Sequence, residues 1–201
     1  MKTRKIKGLV ALLSIIFFVS CFASKKTRFN SVYKLHDYGN IKSIKQSNKR
    51  FYFRYSIPNE QIGIWSDDSI HYFGEVFCYT ARKDKKKMKY YGINFHITDS
   101  ITNEIVKEFN NLHVSQILTK DSGHFPLTTC DDCGFTEYEY SNGKTYTIKT
   151  FYFNTGNKVI DSFGNFIEKS VQVEKKFYEF IDYLPYGLYQ RNMMDVVKSR
   201  H

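Results

Sequence analysis

The residues best placed by type and spacing to do chemistry are Cys130 and Cys133, with Asp131 and Asp132 between them. Two thiols two residues apart can close a disulfide, exchange one with a substrate, or supply half of a zinc site. Each use demands something further. Exchange works best with a thiol of lowered pKa, usually at a helix N-terminus. Here Gly134 and a strand-like pattern follow, and two carboxylates between the thiols raise the pKa by repulsion. Zinc needs two more ligands. His113 and His124 lie upstream, but no second Cys-x-x-Cys and no His-x-x-x-His occurs. Covalent haem needs a histidine where Gly134 stands. The pair therefore reads first as a structural disulfide between Cys130 and Cys133, with thiol–disulfide exchange as the competing chemistry. No metal and no cofactor is predicted.

Two further groupings hold reactive side chains. Glu137 and Glu139 are two apart in a strand-like run, which separates them by roughly 6–7 Å on one face. Paired glycosidase carboxylates stand at about 5–9 Å, so the spacing alone permits an acid–base pair, although solvated strand charges are far commoner. Asp121-Ser122-Gly123-His124 contains an acid, a serine and a histidine. Triads are assembled in space rather than in sequence, so this run reads as a turn. Gly-x-Ser-x-Gly, His-Glu-x-x-His, the P-loop and Gly-x-Gly-x-x-Gly are all absent. No catalytic residue is assigned.

The elements that must position these groups follow from periodicity. Residues 51–57 read as a strand ended by Pro58. Residues 69–81 and 88–98 read as a hairpin, its tip the charged run Arg82-Lys83-Asp84-Lys85-Lys86-Lys87. Tyr91, Ile93, Phe95 and Ile97 alternate with polar or small residues. Asp99 or Ser100 would cap a helix carrying Ile101, Ile105, Phe109 and Leu112 on one face. Val114 to Gly134 reads as a long loop. Residues 135–140 and 144–153 form a second hairpin, in which Asn142-Gly143 suits a two-residue type I′ turn that sets Glu139 opposite Tyr146. Gly156 and Gly164 break the following stretch. A last helix runs from about Lys169 to Leu184, stopped by Pro185 and Gly187.

Two helices and at least five strands, joined as hairpins, predict an α+β fold: an antiparallel sheet with both helices on one face. The predicted organisation is a leader at 1–20, a basic tether at 21–50, one domain at 51–190 and a frayed tail at 191–201.

Aromatic residues are abundant, with 18 Phe and 16 Tyr. Tyrosine combines contact area with a hydroxyl at low entropic cost. Tyr138, Tyr140 and Tyr152 are therefore candidate binding residues.

The N-terminus explains much of the charge. Four basic residues occur among the first seven, followed by an apolar run from Gly8 to Val19 and then small residues. This is the plan of an export leader. The run is shorter than the roughly 20 residues a membrane-spanning helix needs. Phe18-Val19-Ser20-Cys21 resembles a lipobox, which would make Cys21 the acylated first residue of the mature chain. A cut after Ala23 is the alternative and would give a soluble periplasmic or secreted protein. The net charge of +10 includes the four leader cations, leaving +6 on the mature chain. Nucleic acid is not an expected partner outside the cytoplasm.

The leader ending at Cys21, the helix Ile101–Leu112, the run Gly-Phe-Thr-Glu-Tyr-Glu-Tyr leading into Thr-Ile-Lys-Thr-Phe, and the late helix followed by Leu184-Pro185-Tyr186-Gly187 together resemble small bacterial envelope lipoproteins. The leading reading is a non-enzymatic module, held in the outer membrane by an N-terminal lipid, that binds an envelope protein or polymer; the resemblance itself implies location and fold style, not activity. It transfers no catalytic residue. The alternative is an envelope enzyme using Cys130 and Cys133.

Overall fold

Phe51, Phe53 and Tyr55 alternate with Tyr52, Arg54 and Ser56, and this period of two builds an interior strand of the sheet. A computed structural model describes residues 33–35, 44–84, 87–120, 135–152, 157–191 and 194–199. Its strands are β1 (Tyr33–Leu35), β2 (Phe51–Ile57), β3 (Glu60–Ser66), β4 (Phe73–Asp84), β5 (Lys87–Ile97), β6 (Phe135–Ser141), β7 (Tyr146–Tyr152), β8 (Gly187–Arg191) and β9 (Met194–Lys198). Its helices are α1 (Asp99–Asn111), α2 (Val114–Thr119), α3 (Lys158–Val171) and α4 (Val173–Tyr183).

The nine strands form one antiparallel sheet in the order β1-β5-β4-β3-β2-β6-β7, with β8 bridged to β4 and β9 paired to β8. The predicted α+β class, with helices packed on an antiparallel sheet, is the observed one. Antiparallel pairing follows from the short links between strands. Pro58 and Asn59 alone join β2 to β3, and Asn59 takes the positive φ of 75° that the third position of a type II turn requires.

One face of the sheet carries the core. Phe53, Tyr55, Ile62, Ile64, Val76, Ile93 and Tyr138 point to the helices. Phe109 of α1 packs on Phe51 and Phe53, with ring centroids 5.4 and 5.1 Å away, and Phe163 of α3 packs on Phe53 at 5.6 Å. All the buried apolar residues except Ile44 and Ala81 make one continuous cluster.

Several predicted details are corrected. There are four α-helices among the described residues, not two, besides a short 3-10 helix at Ile44–Gln46. The segment read as a loop from Val114 begins with α2, whose Val114 and Leu118 are buried. The last helix, predicted from about Lys169 to Leu184, is α4 together with the final turn of a separate helix, α3, and the two are jointed at Gln172 in the left-handed conformation (φ 55°). Gly164, read as a breaker, lies inside α3. Glu60–Ser66 forms a strand that its glycine and polar residues concealed. The predicted tether contains β1, paired to β5, and Ile44, which is buried. The predicted frayed tail contains β9. The helix cap is also displaced: Thr98 holds the N-cap position of α1 without a side-chain bond, and Asp99 enters the first turn, where it complements the helix dipole.

The second hairpin is longer in the loop than predicted. Ser141 pairs with Tyr146 and Glu139 with Ile148. Asn142 Oδ1 accepts from the backbone N–H groups of Lys144 and Thr145 at 3.0 and 2.8 Å, and Gly143 has φ +79°. The asparagine closes the turn with its side chain, which costs two more residues of loop. A shift of two residues keeps every side chain on its predicted face.

Candidate functional site

The helices cover one face of the sheet. The other face carries none of the four α-helices, and it is built from the opposite positions of each strand. On β4 these are Phe73, Glu75, Phe77 and Tyr79; on β3, Gln61, Gly63 and Trp65; on β2, Tyr52, Arg54 and Ser56. On β6 and β7 they are Glu137, Glu139, Tyr146 and Ile148.

Register places these side chains in rows across the strands. Tyr52, Trp65 and Phe73 stand side by side on β2, β3 and β4, with ring centroids 6.0 and 6.3 Å apart. The next row runs His96, Glu75, Gly63, Arg54, Glu139 and Ile148 on β5, β4, β3, β2, β6 and β7. Beyond Glu75 the rings of Phe77 and Tyr79 stack at 5.6 Å. A half-buried carboxylate is thus framed by aromatic rings along its own strand and across to the neighbouring one.

Gly63 shapes the middle of this face. A Cβ there would meet the ring and hydroxyl of Tyr52 at 3.7 Å and Cγ of Glu75 at 3.9 Å. Tyr52 and Glu75 therefore lean towards each other over a residue with no side chain. Burial raises the pKa of Glu75 and of Tyr52, because both charged forms lose water.

The other carboxylates are engaged within the protein. Glu139 is ion-paired to Arg54 and accepts a hydrogen bond from Tyr146 Oη at 2.6 Å. Glu137 accepts from Thr150 Oγ1 at 3.3 Å; burial, then the charge of Glu139, raises its pKa. Glu137 and Glu139 do share a face, as the two-residue spacing predicts. They do not confront each other across an open gap, and their partners make them part of the sheet's own polar network.

The remaining candidates fall as follows. Cys21, Cys130, Cys133 and the Asp121–His124 run lie outside the described residues. Tyr138 is 1% exposed, and its hydroxyl donates to the Ile160 carbonyl at 3.2 Å. It is a core residue beneath α3 and has no surface to offer a partner. Tyr140 is half-buried on the helix side, against Phe51 and Phe109 at 5.8 and 5.4 Å. Tyr152 ends β7 opposite Phe135; its side chain lies outside the described residues. His113 takes a left-handed conformation (φ 51°) between α1 and α2, a turn role. Cys78 is buried, and burial pushes its thiol pKa far up, so it packs as a small hydrophobe. Among the described residues, no group of three or more His, Cys, Asp or Glu is placed to hold a metal ion.

A second polar cluster lies on the helix side. Glu60 is fully buried opposite Cys78, and its Oε1 accepts from Nε and Nη2 of Arg191 at 3.1 and 3.0 Å. The guanidinium of Arg191 lies 4.8 Å from the Phe177 ring centroid and 5.4 Å from that of Tyr178. Asn59 Nδ2 and Thr80 Oγ1 donate to the Gln190 carbonyl at 3.3 and 2.7 Å. These contacts fasten β8 to the body of the sheet.

Tyr52, Trp65, Phe73, Glu75 and Phe77 were missed as site residues in the sequence. A signal was present. Positions 73, 75, 77 and 79 read Phe, Glu, Phe, Tyr, alternating with Gly, Val, Cys, Thr. Both sets are largely apolar, so alternation alone did not say which faced the helices.

Among protein-family models, curated proteins and solved structures, none matches this chain. No helix among the described residues is long and apolar enough to cross a membrane.

Proposed function

We propose that this chain is an envelope lipoprotein, acylated at Cys21, whose domain binds a protein partner through the helix-free face of its sheet. The observation that carries the reading is the aromatic row Tyr52–Trp65–Phe73, which ends on a ring 47% exposed. Large aromatic side chains left at a sheet surface, with a polar surround, are the usual material of a protein contact. The leader and the lipobox-like run at Cys21 supply the location.

Two experiments test the two halves. Labelled fatty acid incorporated by the wild-type chain and lost in Cys21→Ala supports the anchor; a Cys21→Ala chain that still fractionates with the membrane speaks against it. Pull-down from envelope extract tests the face. Trp65→Ala with Phe73→Ala should lose the partner while the domain stays folded. Retention of every partner by that double variant would remove this face from the reading. The Cys130–Cys133 pair belongs in this account as a structural staple, with a reduction potential expected below about −300 mV. A value between about −200 and −120 mV would move thiol exchange to first place.

A further inference from the structure

The same face carries an unmatched charge. Glu139 has Arg54, Glu137 has a hydroxyl donor, and Glu60 on the far side has Arg191. Glu75 has no hydrogen-bond or ion-pair partner among the described residues, although it is half-buried among rings. The chain as a whole is strongly basic, at +10. This face runs against that balance: on β2, β3, β4, β6 and β7 its positions hold Glu75, Glu137 and Glu139 against Arg54 and, at the far end of β4, Lys83.

The protein shows elsewhere what such a setting holds. Arg191 rests on the rings of Phe177 and Tyr178 and is bonded to the carboxylate of Glu60. The group combines two aromatic faces with the buried carboxylate of Glu60, and the outer edge of the guanidinium reaches Glu174 at 3.4 Å. Glu75 has the same ingredients in Phe73, Phe77, Trp65 and Tyr52, with no guanidinium bonded to it among the described residues. A guanidinium suits this frame better than an ammonium. It is planar, stacks on rings, and forks onto a carboxylate.

From this we infer that Glu75 and its aromatic frame receive an arginine side chain of the protein partner, the guanidinium stacking on the rings and bonding the carboxylate over Gly63. The inference rests on the helix-free face being the contact surface and names the chemistry of that contact. Glu75 supplies the charge, Trp65 and Phe73 one wall, Phe77 the other. The Tyr52 hydroxyl stands beside the entering group.

Trp65 is the single tryptophan of the chain, so its indole N–H gives one resonance from inside the frame. The test is an NMR titration of the 15N-labelled full chain with N-acetyl-arginine methylamide. The controls are the uncharged citrulline analogue and phosphoethanolamine. A saturable shift of the indole resonance with arginine is expected, with no comparable shift from citrulline. Glu75→Gln should weaken the arginine effect about ten-fold or more, the loss of one charge-assisted contact. Equal responses to arginine and citrulline, or an unchanged response in Glu75→Gln, would overturn the inference. A stronger response to phosphoethanolamine would overturn it in favour of a lipid headgroup.

The pull-down separates this failure from failure of the face itself. If Trp65→Ala with Phe73→Ala loses the partner while arginine does nothing, the face stands and its chemistry is wrong. If that variant keeps the partner, the face has failed.

Discussion

Gly164 of α3 lies against the hydroxyl of Tyr138 on β6: a Cβ at Gly164 would stand 2.7 Å from Tyr138 Oη and 3.3 Å from Tyr55 Oη. The glycine is what lets the helix approach the sheet, and the tyrosine is what fills the space beneath it. Tyr138 cannot yield easily, because its ring is buried and its hydroxyl is bonded to Ile160. Gly164→Ala gains helix propensity of about 1 kcal/mol but overpacks the core, which costs about 1–3 kcal/mol. The net expectation is a loss of stability. Tyr138→Phe removes the clashing oxygen, so the double variant should recover most of the loss. Urea denaturation of the four proteins in this cycle checks the coupling.

The Gln172 joint gives a stabilising prediction. Its left-handed backbone (φ 55°) disfavours any side chain, and it ends α3 while starting α4. Glycine meets no such penalty. Gln172→Gly should stabilise by about 1 kcal/mol, read as a rise in the urea midpoint at unchanged slope. A fall in the midpoint would show that the joint depends on the side chain.

Glu60 should make stability pH-dependent. Burial pushes its carboxyl up to about 7 despite Arg191, against an unfolded value of about 4.3. The folded state therefore binds the proton more readily than the unfolded chain between those values. The associated stability is fully present below about 4.3 and is lost as pH rises through 7, an effect on the order of 4 kcal/mol. Glu60→Gln should flatten this slope in denaturation series between pH 5 and 8. Arg191→Met should cost more at pH 8 than at pH 5, because the charge it strands is then fully formed.

Cys78 should stay inert in the folded protein. It is buried with a strongly raised thiol pKa, and reaction requires an accessible thiolate. Alkylation followed by peptide mass analysis should find Cys78 unmodified until denaturant unfolds the domain. Rapid labelling under native conditions would show that the strand opens.

The sequence carried much of the architecture. Alternation at 91–97 and the four-residue steps through Ile101, Ile105 and Phe109 marked β5 and α1 to within a residue or two, because each pattern has one clear apolar side. Glu60–Ser66 was illegible: its core positions include a glutamate whose partner, Arg191, lies 131 residues away. Gln172 hid a joint because glutamine gives no sign of a left-handed backbone. The site was less legible than the fold. Tyrosine spacing on β6 suggested contact residues, but Tyr138 and Tyr140 face the helices. Which face of a two-sided aromatic strand is free depends on where helices from distant parts of the chain land. No local pattern records that.

The claim that the helix-free face is the binding surface is tested most directly by placing a photo-crosslinking amino acid in living cells at Phe73 and, separately, at Tyr178. Both side chains are 47% exposed, one on that face and the other on α4. Crosslinking of a discrete partner from position 73, and none from 178, is the result expected. A partner captured from 178 alone would contradict the account and move the contact surface to the helices.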